Sequence, residues 1–333
     1  MSNRPEDNRN LAFIGAGGAG KTTLLEKLLN MAGAINRTGS VDDGNTVSDW
    51  DDDERERKQS LFATPTHFDW EGVRVNAIDT PGALDFMAVA QSALAAVETA
   101  VLCVNAHDGV SVATRRLFRA ARDQGLATVV VITRIDGENI QPEQLVTDIQ
   151  AAIGERAVPL NLPDQFGAGA STVHDIFSQD LPDNLKSAAS DYVAQATDRV
   201  VEVDESLLEK YLETGEISHD EMADAFPRAL RQGNIVPVFH VSVDKEVGLK
   251  KLMHFFQEDC ASAVRRTGEV VRPATNKGGD AVKVPADGPF SAQVWKIQID
   301  PHVGKLAFLR VWSGSLASKT QFVVARTGET ERI

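Results

Sequence analysis

A glycine-rich segment near the amino terminus carries the residue types best suited to binding phosphate. Gly15 and Gly20 frame four residues, and Lys21 and Thr22 follow directly. Glycines leave backbone N–H groups free to converge on an anion. The lysine ammonium adds a point charge for the outer phosphates, and the threonine hydroxyl is a Mg²⁺ ligand. We expect Lys21 to act in catalysis and a phosphate contact at each of these residues: Ala16, Gly17, Gly18, Ala19, Gly20, Lys21, Thr22 and Thr23.

The flanking pattern places this segment between a strand and a helix. Residues 11–14 form a short apolar run, and leucines at 24, 25, 28 and 29 recur at helical spacing. Strand, glycine loop and helix in this order are what a phosphate-binding loop requires, and the amino end of the helix attracts anions. The alternative, a glycine-rich turn that binds nothing, leaves the lysine, the hydroxyl and the periodicity unexplained.

Two further strings follow predicted strands and complete a nucleotide site. Asp79-Thr80-Pro81-Gly82 offers a carboxylate that can hold Mg²⁺ through water, and a glycine whose N–H can approach a terminal phosphate. Gly82 is therefore the second catalytic candidate. In the string 133–136, Thr-Arg-Ile-Asp, Asp136 can accept hydrogen bonds from N1 and the exocyclic amine of guanine, a donor pair that adenine lacks. The alternative for Asp136 is a helix or turn cap.

The order of apolar runs predicts an α/β fold. Strands alternate with amphipathic helices, which is typical of a doubly wound, mostly parallel sheet with ligands beyond the carboxyl ends of the strands. We predict strands at 61–70, 72–79, 100–104, 128–132 and 235–242, and helices at 84–97, 112–122 and 247–256.

The same pattern divides the chain into domains. We predict a nucleotide-binding domain over 1–265 with an acidic, helical insertion at 158–233, a linker at 266–288, and an antiparallel β-barrel beginning at 289–333. Three or four strands do not close a barrel and would leave unpaired edges. We therefore expect a fragment of a longer protein, or a partner that completes the barrel.

Residues 39–60 are polar and rich in aspartate and glutamate. Such a run predicts a solvated loop in the free protein. The same segment could order around Mg²⁺ and a terminal phosphate as a nucleotide-sensing switch.

Composition narrows the functional class. The 333 residues carry a formal net charge of −14, which argues against non-specific nucleic-acid binding through a broad basic face. Two cysteines are too few for a disulfide scaffold, and we expect Cys103 to be buried in a strand. The polar amino terminus has no apolar signal segment, and no apolar run approaches the length of a bilayer span. We expect a cytoplasmic protein that does not bind membranes or free DNA.

Together, GAGGAGKTT, DTPGALDF, VSDWDDDERERKQS, PVFHVS and DPHVGKLAFLRVWSGSL resemble translational GTPases of the elongation factor G type. The segment VDDGNTVSDWD is more similar to the accessory elongation factor G-like paralogues. The resemblance implies a monomeric GTP- and Mg²⁺-dependent factor that acts on the ribosome. By position it assigns the phosphates to 16–23, the metal to Thr22, Ser60 and Asp79 (the last through water), and the base to Thr133, Arg134, Asp136, Ser242 and Val243.

Several positions depart from the family pattern. Ala83 stands where the family has a histidine that orients the attacking water, so we expect slow hydrolysis, because water positioning matters greatly in phosphoryl transfer. Lys58-Gln59-Ser60 replaces Gly-Ile-Thr but keeps a hydroxyl. Thr133-Arg134 replaces Asn-Lys, and the shorter threonine should lose one hydrogen bond, about 1 kcal/mol, although Arg134 could stack on the base.

Three functions remain open at this point. The first is a ribosome-stimulated GTPase, supported by the phosphate loop, the Asp79 string and the barrel. The second, motivated by Ala83, is a GTP-bound ribosome-associated module that does not hydrolyse GTP. The third is an ATP-using enzyme with the same phosphate loop.

Overall fold

Apolar strands that are buried on both faces form the centre of the main unit. The computed structural model describes residues 4–264, 270–271, 282–283, 287–300 and 302–332. Contacts divide the chain into a compact unit of Asp7–Ala261 and a second unit made mainly of residues from Ser262 onward. The strands of the main unit are β1 Asn8–Gly15, β2 Thr64–Trp70, β3 Val73–Asp79, β4 Thr99–Asn105, β5 Ala127–Thr133, β6 Ala157–Pro159, β7 Asn161–Pro163, β8 Val173–Asp175 and β9 Val236–His240.

Seven of these strands form one sheet in the order β2-β3-β1-β4-β5-β9-β6. β2 runs antiparallel to β3, and the other pairs are parallel. Every residue of β4 and β5 is buried, as expected for strands covered on both faces. The predicted doubly wound sheet is therefore confirmed. Gly15, Asp79 and Thr133 end their strands at the same edge.

Amphipathic helices cover both faces of the sheet. They are α1 Lys21–Met31, α2 Asp52–Arg57, α3 Met87–Leu94, α4 Val112–Asp123, α5 Pro142–Ile153, α6 Asp183–Val201, α7 Glu205–Thr214, α8 His219–Gln232 and α9 Leu249–Glu258. The helix predicted over 84–97 is shorter than expected and begins as a 3₁₀ turn at Leu84–Phe86. The strand predicted from residue 61 starts at Thr64.

The insertion is helical, but the main sheet continues into its first residues. Val158 and Pro159, which the sequence placed in the insertion, belong to β6, and β6 pairs with β9 as an edge strand. β7 and β8 then form a separate antiparallel pair. The expectation that the sheet pattern stops there was wrong because three-residue strands have too few residues to show a period. Helices α6, α7 and α8 occupy the rest of the segment, and Ser218 and Glu221 form a capping box at the start of α8.

His240 fixes the insertion to the sheet. Its side chain is 1% exposed, and its Nδ1 lies 2.9 Å from the backbone oxygen of Asn161. The Asn161 side chain forms a second hydrogen bond, in which its Oδ1 accepts the backbone N–H of His240 at 2.7 Å. His240 is therefore a packed histidine. Burial lowers the pKa of His240 to about 4.

The second unit is antiparallel throughout its described strands. β10 Val270–Val271 pairs with β11 Val282–Lys283, β12 Ser291–Asp300 with β13 Gly304–Ser313, and β14 Gln321–Val323 with β15 Thr330–Arg332. This architecture agrees with the predicted barrel-type domain. Most of the predicted linker, 266–288, lies outside the described residues. Among the described residues, no helix has both the length and the apolar composition that a bilayer span requires.

We predict that His240 makes unfolding pH-dependent. The folded-state pKa, about 4, lies below the ordinary value of 6.5. Folding therefore favours the neutral ring, and this stabilisation is complete above pH 6.5 and is lost as the pH falls toward 4. We expect the free energy of unfolding, measured by chemical denaturation, to fall between pH 7 and pH 4 in both proteins. The fall should be about 3 kcal/mol smaller in His240→Gln than in wild type. The exposed His219→Gln is the control. Parallel pH profiles for wild type and His240→Gln would contradict the prediction.

Candidate functional site

The glycine loop has an anion-binding geometry. Gly15 and Gly20 adopt φ values of 147° and 79°, in the left-handed half of conformational space. Gly20 precedes α1, and no side chain caps that helix, so the first N–H groups of α1 remain available to a ligand. The loop is also tied to β5, because the Thr133 hydroxyl donates to the Ala19 carbonyl at 2.9 Å.

Lys21 lies beneath this loop rather than in solvent. Its residue is 6% exposed, and its ammonium donates to the carbonyls of Gly15 at 3.1 Å and Ala16 at 2.9 Å. Burial lowers the pKa of Lys21, while the charge of Asp79 opposes this. A partly desolvated cation next to free N–H groups attracts an anion strongly, because few waters compete with it.

Hydroxyl and carboxylate oxygens meet beside the loop. The Thr22 hydroxyl donates to Asp79 Oδ2 at 2.7 Å and lies 3.3 Å from Ser60 Oγ. Asp49 joins this group, since its Oδ1 accepts from Ser60 Oγ at 2.7 Å. The three residues that the sequence assigns to the metal, Thr22, Ser60 and Asp79, are thus brought together.

Asp79 has the properties of an oxygen ligand for a divalent cation. The residue is 1% exposed, and its Oδ1 is buried with no hydrogen-bond partner among the described residues. Burial raises the pKa of Asp79 to about 6, against the Thr22 hydrogen bond and the Lys21 charge. An orphaned carboxylate oxygen beside two hydroxyls fits a hard divalent cation such as Mg²⁺.

The acidic segment 39–60 is exposed over much of its length, as predicted for a solvated loop, with Asp42, Asp43, Asp52 and Asp53 on the surface, but part of it is packed. Four of its polar side chains are at most 5% exposed: Thr46, Ser48, Asp49 and Glu54. Glu54 accepts the N–H groups of Leu61 and Phe62 at 2.9 and 3.0 Å, and it completes a capping box at the start of α2. The Glu54 carboxylate thus satisfies backbone donors, and Asp49 accepts from the Thr46 and Ser60 hydroxyls, which hydropathy alone cannot show.

Gly82 packs directly on the phosphate loop. A Cβ at this position would lie 2.5 Å from both Gly17 N and Lys21 Nζ. Only a glycine fits this approach. Ala83 follows with a half-buried methyl group and begins the 3₁₀ turn at Leu84–Phe86. Its side chain has no polar atom that could orient water.

Two loops come together at the other end of the site. Asp136 is half-buried, and its carboxylate has no partner among the described residues, so no cap is formed. Arg134 is exposed, with φ 57°. Ser242 is fully buried and its hydroxyl accepts the Lys245 N–H at 3.2 Å, while Val243 is half-buried. Ile135 N–H donates to Val241 O at 3.4 Å, which joins the two loops.

Residues of the insertion form hydrogen bonds that support these two loops. The sequence gives little indication of these contacts. Gly167 donates its N–H to the Ile135 carbonyl at 2.8 Å, and Lys245 donates to the carbonyls of Ala168 and Ala170. The Phe166 ring contacts His240 edge to face. The one indication of this contact in the sequence is the close spacing of Gly167 and Gly169 in a segment predicted to be helical.

Two family models match the chain. The elongation factor Tu GTP binding domain covers residues 6–262, which is more than half of the chain, and elongation factor G domain 2 covers residues 289–333. This chain belongs to the elongation factor Tu GTP-binding domain family. The GTP-binding domain is therefore followed by the start of a translation-factor second domain. Guanine nucleotide is the ligand class that the family binds.

A solved structure has the same fold. The crystal structure of a Thermus thermophilus protein matches with a TM-score of 0.81 and 28% sequence identity, over 98% of this chain and 50% of that one. The chain thus spans about half the length of that protein. The similarity extends through both matched domains.

We predict that Gly82→Ala destabilises the GTP-binding domain, because the added methyl must displace Lys21 or the loop backbone. Overpacking of this kind costs about 1–3 kcal/mol. The matched control is Gly17→Ala, where a Cβ meets nothing within 4 Å. Urea unfolding of the nucleotide-free proteins should show a lower midpoint for Gly82→Ala alone. Equal midpoints for the two variants would contradict the packing described here.

Proposed function

We propose that this chain is the GTP-binding part of a translation factor that acts on the ribosome and hydrolyses GTP slowly. The observation that carries the proposal is the convergence of the phosphate loop, the orphaned Asp79 oxygen and the unpartnered Asp136 carboxylate at one edge of the sheet. The family match supports the nucleotide, and the match to elongation factor G domain 2 supports the ribosome as the site of action.

Guanine would be selected by Asp136. A carboxylate pairs with the N1–H and exocyclic amine of guanine, and it would repel the N1 lone pair of adenine. Ser242 and Val243 would support the base from behind, and the exposed Arg134 guanidinium would stack on it. The Thr133 hydroxyl donates its hydrogen bond to the Ala19 carbonyl, so Thr133 would contribute indirectly by fixing the phosphate loop.

The phosphates would lie over residues 16–23, with the α1 N–H groups and Lys21 as donors. Thr22 and Ser60 would hold Mg²⁺ by their hydroxyls, and Asp79 through water; the ion would neutralise charge on the β- and γ-oxygens. The N–H of Gly82 would approach the terminal phosphate. Because Gly82 lies close to Gly17 and Lys21, its position would report the nucleotide state.

Hydrolysis would be slow because Ala83 cannot orient water. A positioned orienting group typically contributes 10²–10⁴-fold. The same observation favours a second candidate, a GTP-bound module on the ribosome that does not turn over. The third candidate, an ATP-using enzyme, is disfavoured by the free Asp136 carboxylate. We further propose a monomer that works in the cytoplasm and does not bind membranes or free DNA.

Base selectivity should depend on Asp136. Asp136→Asn replaces an acceptor with a donor facing the guanine amine, so we expect GDP affinity to fall at least tenfold while weak ADP binding is unchanged. The control Glu138→Gln changes an exposed carboxylate two residues away. Competition between fluorescent GDP and unlabelled nucleotides measures both affinities. Unchanged preference for GDP over ADP in Asp136→Asn would remove Asp136 from the base site.

Turnover should depend on position 83. Phosphate release with and without ribosomes should be slow in the wild type and should rise roughly 10²-fold in Ala83→His, because imidazole can orient water. Ala83→Phe adds a ring of similar size without a polar atom, and it should not increase the rate of phosphate release. Rapid ribosome-stimulated release by the wild type would contradict slow hydrolysis. No release by either wild type or Ala83→His would favour the non-hydrolysing module.

A further inference from the structure

A groove lined by arginines lies between α4 and α5, and no site described above uses it. Its volume is about 560 Å³. Four arginines of α4, one further arginine and three apolar residues line it. The lining residues are Arg115, Arg116, Phe118, Arg119, Arg122, Ala152, Ile153 and Arg156. Five guanidinium groups thus surround one groove on a chain of net charge −14.

The charges of these arginines are not neutralised by ion pairs in the part of the chain that the structure describes. Within the described part of the chain, none of the five forms an ion pair. Arg122 and Arg156 both donate to the single carbonyl of Gly233, at 2.9 and 2.8 Å. Burial and the charge of Arg156 lower the pKa of Arg122. An acidic protein has many carboxylates that could pair with arginines. In this groove the positive charges instead lie next to one another, and a bound anion would stabilise that arrangement.

The groove is separate from the nucleotide site. α4 and α5 follow the carboxyl ends of β4 and β5, so their last turns lie toward the amino ends of the strands. Arg122 is in the last turn of α4, Ile153 ends α5, and Arg156 directly precedes β6. The nucleotide-site residues follow the opposite, carboxyl ends of the strands. Arg115 and Arg116, in the first turns of α4, lie nearer the carboxyl ends, but none of the lining residues is among those assigned to the nucleotide. The inference does not depend on the proposed function.

The lining favours phosphate over a protein side-chain surface. Protein interfaces are built around aromatic and apolar anchors at their centre, with arginine beside them. Phe118 and Ile153, the large apolar residues of the groove, are only 9% and 7% exposed. What the groove presents is guanidinium groups, whose planar forks match phosphate oxygens.

The spacing favours a chain of phosphates. Arg115, Arg119 and Arg122 are four and three residues apart on one face of α4, which separates them by about 6 and 4.5 Å along the helix axis. Guanidinium groups repeated along one helix face can each contact a different phosphate of a nucleic-acid strand. We propose that this groove binds the phosphate backbone of RNA, in a local contact that the acidic remainder of the surface restricts to the groove.

Fluorescence anisotropy of a labelled RNA hairpin tests this with the full chain. The variant Arg115→Gln/Arg116→Gln/Arg119→Gln removes three exposed groups that make no described bond. We expect micromolar binding by the wild type, at least tenfold weaker binding by the variant, and a salt slope smaller by about 3, one for each lost phosphate contact. The charge-matched control is Lys186→Gln/Lys250→Gln/Lys251→Gln, which removes exposed lysines elsewhere and should bind within twofold of wild type.

Two competitors distinguish other anions, and GDP affinity verifies folding. Tripolyphosphate at equal phosphate concentration should displace the hairpin poorly, and polyglutamate should not displace it. Equal affinity and salt slope for wild type and the arginine variant would overturn the proposal. So would displacement by tripolyphosphate as effective as by unlabelled RNA, which would indicate a small-anion site, or tighter binding of polyglutamate, which would indicate an acidic protein partner. Unchanged GDP affinity in the arginine variant separates these outcomes from a failure of the nucleotide site.

Discussion

The buried contact between the Thr22 hydroxyl and the Asp79 carboxylate is the constraint on which the site depends. It joins the first turn of α1 to the end of β3, at 2.7 Å. β1 lies between β3 and β4, so the phosphate loop that follows β1 opens beside both. Ser60 and Asp49 then join this pair and bring the acidic segment 39–60 onto the loop.

Burial of Asp79 and Lys21 has an electrostatic free-energy cost, and a bound ligand of opposite charge would reduce that cost. Burial raises the pKa of Asp79 and lowers that of Lys21, so both charged forms are disfavoured in the free protein. A buried carboxylate oxygen without a partner is expensive, and natural proteins keep such groups mainly at functional sites. A cation and a polyphosphate would satisfy Asp79 and Lys21 together. The same reasoning applies to the arginine groove, where like charges lie adjacent without carboxylates.

The sequence predicts the strong features and misses the context-dependent ones. The strand, glycine loop and helix around Lys21 are predictable because loop chemistry and periodicity agree locally. The edge strand β6 and the 3₁₀ start at Leu84 are too short to show a period. Burial of Glu54 and Asp49 depends on donors that only the folded segment brings together, backbone N–H groups of Leu61 and Phe62 for Glu54 and hydroxyls for Asp49, so hydropathy does not predict it. The contact of Gly167 with Ile135 joins segments that no local pattern connects.

Calorimetric titration of GDP, GTP and ATP into this chain, with and without Mg²⁺, tests the central claim most directly. The account predicts binding of GDP and GTP that strengthens with Mg²⁺, and little or no heat with ATP. In Asp79→Asn the strengthening by Mg²⁺ should be lost while some guanine nucleotide binding remains. No heat with either guanine nucleotide in the presence of Mg²⁺, or equal binding of ATP, would contradict the account.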